Sequence, residues 1–525
     1  MKILSLIATM VGLGLCVLTP GDAEAQQRGG SMKIVAQPEP ATLVLGLNQQ
    51  TTTMLVGGKI YEALLTFDHD LKPRPGLATE WTVSPDGLIY TFRLRNNVRW
   101  HDGRPFTSAD VIFTTQTLLM ETHPRARSVF SRVASFSAPD EHTVVFTLKE
   151  PFEPFLHGLE LSSAPMMPRH IYEGSDFRNN PANQAPIGTG PFKFKDWRKG
   201  QYIHLVRNED YYEPGLPYLD ELYFRVIPDA ASRLIAIESG EVDLTSSGDI
   251  DYVFIPQLRN NPKLNVLSKG YEFTAPMAWI EFNHRTKPMD DPRFRQAVLH
   301  AIDRQFIVEK IWFGQAKVAT GPVASYTRFY EPRVPQYSFD PAKSEQLLDQ
   351  MGLVKGSNGK RVQLRLLPLP YGETWAKLAE FVKQSLARVG IDVRIESTDA
   401  AGWGQRVSNW EFDMAFNLVS QWADPALGVS RTYQSSNIRK GVLFTNSAGY
   451  SNQKVDALFE LGAKTVGTEE RHKHYSAVQE LLAQDVPVAW LIEIQPPTVI
   501  NSKFKDVITT AIGVNESFAR AYVAQ

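Results

Sequence analysis

Strict alternation of apolar and polar positions marks the clearest element of this chain. Tyr90, Phe92 and Leu94 interleave with Thr91, Arg93 and Arg95, a period of two that buries one face of a strand and wets the other. Ser84-Pro-Asp-Gly87 stands just before it with the chemistry of a tight turn. Pro presets φ, Asp bonds its own backbone and Gly accepts positive φ. Residues 81–95 are therefore predicted as a hairpin. Thr107 with Asp110 reads as a capping box that opens a helix to about Glu121.

The same reasoning continues along the chain. The pattern predicts a first strand at 33–36, a short helix at 59–65 after Gly57-Gly58, and a strand at 144–149. Ile187-Gly-Thr-Gly-Pro191 carries a Gly-x-Gly pair, but Pro191 and the alternation after it give a strand, whereas a dinucleotide loop needs a helix there. Asp229 caps a helix that Gly240 stops. An apolar strand is expected at 279–283. Asp291-Pro292 and Asp340-Pro341 each place a cap before proline at the first helical position. Strands at 362–367, 391–396, 412–419 and 488–494 alternate with helices at 375–389, 452–464 and 469–484. Such alternation predicts an α/β fold.

With 525 residues, the chain is too long for one core and should divide into two or three domains. A net charge of −2 and no Lys/Arg run argue against nucleic-acid binding. The N-terminus reads as an export signal: Lys2, then an uncharged apolar stretch from Ile3 to Leu18, then Ala23-Glu24-Ala25 as a cleavage site. The stretch is shorter than the ~20 residues that span a bilayer. Cleavage after Ala25 removes Cys16, the only cysteine. The mature chain then has neither disulfides nor thiol chemistry, and a periplasmic location is expected.

The run from Gly76-Leu-Ala-Thr-Glu-Trp81 through the hairpin and Trp100-His-Asp-Gly103 to Pro105-Phe-Thr107 and Ala109-Asp-Val111 resembles the signature of the family 5 extracellular solute-binding proteins. Further blocks look alike: Pro186-Ile-Gly-Thr-Gly-Pro-Phe192, Gly240-Glu-Val-Asp243, Asp291 to Asp303, and Asp340-Pro341 with Leu347-Leu348. The resemblance implies a two-lobed Venus-flytrap fold with an inserted subdomain. It divides the chain into a signal peptide (1–25), lobe I (26–73, 187–283 and 496–525), the insertion (74–186) and lobe II (284–495). The chain would cross between lobes near 282–284 and near 494–498. It also implies capture of a short peptide or similar amphipathic solute by lobe closure, delivery to an inner-membrane ABC permease, and action as a monomer without cofactor.

A cleft of that kind needs flat apolar walls and a few fixed polar anchors. Trp403, Trp422, Asp424, Arg431 and Tyr433 gather these types in one region. Trp403 and Trp422 are candidate stacking walls, Asp424 a partner for an amine and Arg431 for a carboxylate. Asp424-Pro425 reads equally as a helix start, and the loop is shorter than in the family's peptide binders, where an Asp holds the α-amino group. On the other side, Gly58, Lys59 and Tyr61 are candidates to line the cleft, with Trp279 and Asn283 near the hinge. Arg93, Arg95, Trp100 and His101 are expected to be structural.

The histidines offer no metal spacing: His472 and His474 stand at i, i+2, on different faces of a helix. No Gly-x-Ser-x-Gly elbow is present, so a secreted hydrolase is the weaker reading. An opine-like conjugate, a sugar derivative or a nickel chelate remains an alternative ligand.

Overall fold

The computed structural model describes residues 28–524. The expected signal peptide lies outside them. Two mixed sheets form the centres of two halves. A seven-stranded sheet runs Leu264–Leu267, Thr498–Asn501, Leu244–Thr245, Ser31–Val35, Glu221–Arg225, Tyr202–Arg207, Phe192–Arg198 in spatial order. Ser31–Val35 is parallel to both its neighbours. A six-stranded sheet runs Ala316–Val318, Val488–Ile494, Met277–Phe282, Met414–Val419, Val362–Leu367, Ile391–Ile395. A four-stranded antiparallel sheet, built from strands between Ala78 and Leu148, belongs to the first half and shares its core.

Local chemistry explains most element ends. Asp229, Asp291 and Asp340 each accept a backbone N–H of the first helical turn, and Gly240 closes its helix at φ +80°. Thr107 and Asp110 form the expected capping box. That helical run extends from Ser108 to Thr122, with a π turn at Thr114–Leu118. The hairpin turns at Gly87, φ +71°, whose N–H donates to Ser84 at 2.8 Å. Val488–Ile494 is buried at every residue, as a central strand of a covered sheet must be.

Residues 59–65 do not form the expected helix, which lies earlier at Thr51–Gly57. The carbonyls of Lys59 and Ile60 are taken by the N–H groups of Phe192 (3.1 Å) and Gly190 (2.8 Å). A partner distant in sequence claims the acceptors a helix would use.

The chain passes between the two sheets twice. It leaves the seven-stranded sheet after Leu267 and enters the other at Met277. It returns between Ile494 and Thr498. The sequence reading placed the first passage at 282–284, after this strand. The strand Met277–Phe282 instead lies inside the six-stranded sheet, paired on both sides, so the passage is 268–276. The two links touch: Tyr271 Oη and Thr498 Oγ1 are 3.2 Å apart, and the Ile494 N–H donates to the Pro276 carbonyl at 2.9 Å.

Close backbone approach in the first half yields a stability prediction. A Cβ at Gly188 would lie 1.9 Å from the Ile60 carbonyl oxygen, whereas one at Gly321 meets nothing within 4 Å. Overpacking of this kind costs about 1–3 kcal/mol. Thermal melts should show Gly188→Ala lowered by at least about 3 °C and Gly321→Ala close to the parent.

Candidate functional site

The seam between the halves is formed on one side by residues 125–163 and on the other by residues 420–471. Trp422 and Ala423 belong to the sequence's second half, yet they are buried in the hydrophobic core of the first. The guanidinium of Arg125 lies over the Trp422 ring, 3.5 Å from its centroid. At the rim, Lys464 meets Glu150 at 3.0 Å. This last pair is partly exposed and contributes little, about 0–1 kcal/mol.

The 420–429 segment is held in an uncommon shape. Trp422 and Ala423 take φ of +52° and +61°, a region that costs non-glycine residues roughly 1–2 kcal/mol each. Backbone and side-chain contacts offset this. The N–H groups of Gln421 and Ala423 donate to the carbonyls of Thr274 (2.6 Å) and Phe273 (2.7 Å) in the first link. Asp424 accepts from the Ala426 N–H at 3.0 Å and from Arg471 Nη2 with both oxygens at 2.8 Å. Both side chains of that ion pair are fully buried. Burial pushes the Asp424 carboxyl up, but Arg471, His157, the Ala426 N–H and Arg328 together hold it below its usual range.

Asp424 is thus both helix cap and half of a buried ion pair, and its oxygens are engaged within the protein. The other sequence-predicted residues sort by position. Trp422 and Arg431 reach the seam. Arg431 donates from Nε to the Gly428 carbonyl at 3.2 Å and from Nη2 to the Ser420 carbonyl at 3.4 Å. Trp403, on the helix Ala400–Ser408, is buried in the core under the six-stranded sheet. Tyr433 is buried in another cluster of that half, its hydroxyl accepting from Trp490 Nε1 at 2.8 Å. Trp279 shares that cluster. Asn283 braces residues 410–412, donating from Nδ2 to two carbonyls at 3.0 Å.

Gly58, Lys59 and Tyr61 stand elsewhere, inside the first half. A Cβ at Gly58 would meet the Asn515 carbonyl oxygen at 1.8 Å. Lys59 is fully buried, donating to the Val514 carbonyl with its ammonium 3.9 Å above the Phe518 ring. Burial holds its pKa well below the usual value, against the pull of Glu516. Gly58 and Tyr61 border a cavity of about 200 Å³ lined by the first half alone. Glu62 also lines it, accepting from Thr189, Tyr211 and Tyr212, each at 2.8 Å. Burial raises that carboxyl to about 7. Since one half supplies every wall, lobe closure would not remake this cavity.

Sequence reasoning missed Arg125, His157 and Arg471. Arg125 occupies the first turn of the helix Pro124–Phe130. A cation there opposes the helix dipole, which is the signal that marks it. His157 stacks on Phe67 with centroids 5.0 Å apart, and burial lowers its pKa to about 4, so it is neutral at pH 7. Among the described residues no cluster of metal-ligating side chains occurs, and no helix is long and apolar enough to cross a membrane.

A model of the bacterial extracellular solute-binding proteins, family 5, matches residues 72–441. The chain belongs to this family. It is 27% identical over 483 residues to the oligopeptide-binding protein AppA of Bacillus subtilis, covering 89% of this chain and 86% of that one. It is 29% identical over 451 residues to the glutathione-binding protein GsiB of Escherichia coli K12, covering 83% and 84%. Among solved structures, the periplasmic binding protein DppA of Helicobacter pylori, in complex with the peptide STSA, superimposes with a TM-score of 0.80 at 27% identity. That match covers 95% of this chain and 99% of DppA. The two halves are therefore the lobes of a periplasmic-binding-protein fold: lobe I around the seven-stranded sheet, lobe II around the six-stranded one.

The ion pair gives a test in two parts. Asp424→Ala leaves Arg471 charged and buried without a partner, which should cost roughly 3–5 kcal/mol in denaturant melts. The Asp424 pKa is depressed in the folded state. Its stabilisation is therefore full above the unfolded value, about 3.9, and is lost as pH falls through the folded value. Below about pH 4 the melting temperature of the parent should drop steeply, and Asp424→Asn should flatten that limb.

Proposed function

We propose that this protein is the exported capture component of an ABC importer. It encloses a short peptide, or an amphipathic solute of similar size, between its lobes and releases it unchanged to an inner-membrane permease. The observation that carries this reading is the seam. Lobe I and lobe II each supply side chains to it, and among the described residues two short links, 268–276 and 495–497, join the lobes. A hinge of two adjacent links opens and closes with a few backbone changes. A guest that touches both lobes shifts the population toward the closed form.

The kinds of ligand named for its relatives, oligopeptide, glutathione and a bound tetrapeptide, support a peptide-sized guest. Asp424 is not available for an α-amino group, since Arg471 holds both of its oxygens. The guest's amine, if it has one, meets other acceptors. Export by a signal peptide cut after Ala25, action as a monomer and absence of turnover complete the proposal.

Mass spectrometry of material released by denaturing freshly purified protein should yield a peptide-sized solute, and peptides incubated with the protein should be recovered intact. Appearance of hydrolysis products would overturn the reading. Trp422→Ala should weaken binding of the recovered solute at least about tenfold, as loss of a packed aromatic anchor does. Unchanged affinity would place the guest elsewhere.

A further inference from the structure

We propose that His157 makes closure of the lobes proton-linked: the seam shuts on a neutral imidazole, and acid drives it open. This rests on the lobe-closure reading above and adds a regulation of the same seam.

His157 sits on the helical turn Glu153–Leu159 of lobe I. From its own lobe, Leu65–Phe67 and the helix Pro124–Phe130 pack against that turn. From lobe II, Pro425–Val429 and the helix Gln453–Lys464 lie on it. The ring stacks on Phe67, and Phe273 of the first link tilts against it with centroids 6.4 Å apart. The residue is 4% exposed, and neither ring nitrogen makes a hydrogen bond of ordinary length and angle. The Leu71 backbone lends it only weak support. Buried polar groups normally find such partners. This imidazole is held by packing instead, and part of that packing comes from the other lobe.

Three charged groups act on the ring, and all belong to lobe II. Burial pushes its pKa down, Asp424 pulls it up, Arg328 and Arg471 push it down, and it settles at about 4. Asp424 cannot serve a proton on His157 fully, since Arg471 holds both of its oxygens. The charged groups on the neighbouring elements are engaged elsewhere. Arg125 donates to Ser162 and Ser163, and Arg127 to the Met120 and Glu121 carbonyls. Asp456 accepts from Ser435, Glu460 pairs with Lys464, and Lys454 is exposed. Glu153, on the same turn as His157, acts on Arg328. After the strand Leu65–Phe67, Asp68 pairs with Arg74 and His69 with Glu272.

Opening the seam takes lobe II off this turn and lets water reach the ring, whose free value is about 6.5. Closure therefore expels a proton. Affinity for a guest that needs closure is full above about pH 6.5 and falls as pH drops toward the closed-state value of about 4, by up to about tenfold per pH unit. Glu62 and Asp249 are also raised by burial to about 7. Their hydrogen-bond partners, Thr189, Tyr211 and Tyr212 for one and Ser246 for the other, all lie in lobe I. Closure does not remake those surroundings, as it does those of His157.

The test uses the full exported protein, with a random tetrapeptide pool as probe. Calorimetry should show binding at least about tenfold weaker at pH 5 than at pH 7. Paired buffers of different ionisation enthalpy should show most of one proton released per peptide bound at about pH 6. His157→Phe keeps the stack on Phe67, and His157→Gln removes it. Each should hold its affinity within about threefold between the two pH values and release no proton, and either serves if the other fails to fold. His69→Gln should keep the acid loss of the parent. Unchanged parent affinity at pH 5 would overturn the switch and leave capture standing. So would an acid loss that survives in the His157 variants, or one that His69→Gln abolishes. If the pool does not bind, the peptide reading falls, and exchange of the His157 ring C2 hydrogen, read by mass spectrometry, decides the switch. A lower titration midpoint in protein as purified than in protein stripped by denaturation and refolding would support it, and equal midpoints would overturn it.

Discussion

Two side-by-side backbone links constrain everything else in this molecule. Residues 268–276 and 495–497 are the passages between the lobes, and they are stitched to each other through Tyr271, Thr498, Pro276 and Ile494. Neighbouring links of this kind allow rotation about one axis and resist sliding. Lobe motion is thereby reduced to opening and closing of one seam. The first link also holds the seam's key segment, since Phe273 and Thr274 accept hydrogen bonds from Ala423 and Gln421. The first link and the seam segment are one hydrogen-bonded piece of structure.

The electrostatics of the seam follow from what each charge is given to pair with. Arg471 Nη2 holds both oxygens of Asp424 in a fully buried pair, which keeps residues 422–429 in a backbone shape they would not adopt alone. Such a pair adds little net stability over a hydrophobic replacement but is costly to break. Its contribution is to fix where Trp422 stands. Among the described residues Arg125 and Arg431 form no ion pair.

Much of the fold was legible locally. Asp-Pro starts at 291 and 340, the Asp229 and Gly240 caps and the alternation at 90–95 all rest on contacts within a few residues, and each lies where the pattern placed it. Features set by distant partners were not legible. The helix expected at 59–65 lost its acceptors to residues 190–192, and the strand Met277–Phe282 was read as the end of one lobe when it is a paired strand of the other. The site shows the same division. Of the aromatic and charged run at 403–433, Trp422 and Arg431 reach the seam, whereas Trp403 and Tyr433 are buried in cores of the second half. Which of its side chains faces the seam depends on a pairing between Asp424 and Arg471, 47 residues apart. Arg125 left one local trace, a cation at the wrong end of a helix, that its sequence neighbourhood alone does not interpret.

The central claim is that a guest draws the two lobes together about these links. Small-angle scattering from ligand-stripped and ligand-loaded protein tests it most directly. The account predicts a smaller radius of gyration on loading, with secondary structure unchanged. Superimposable curves, in samples where calorimetry shows the guest bound, would contradict it.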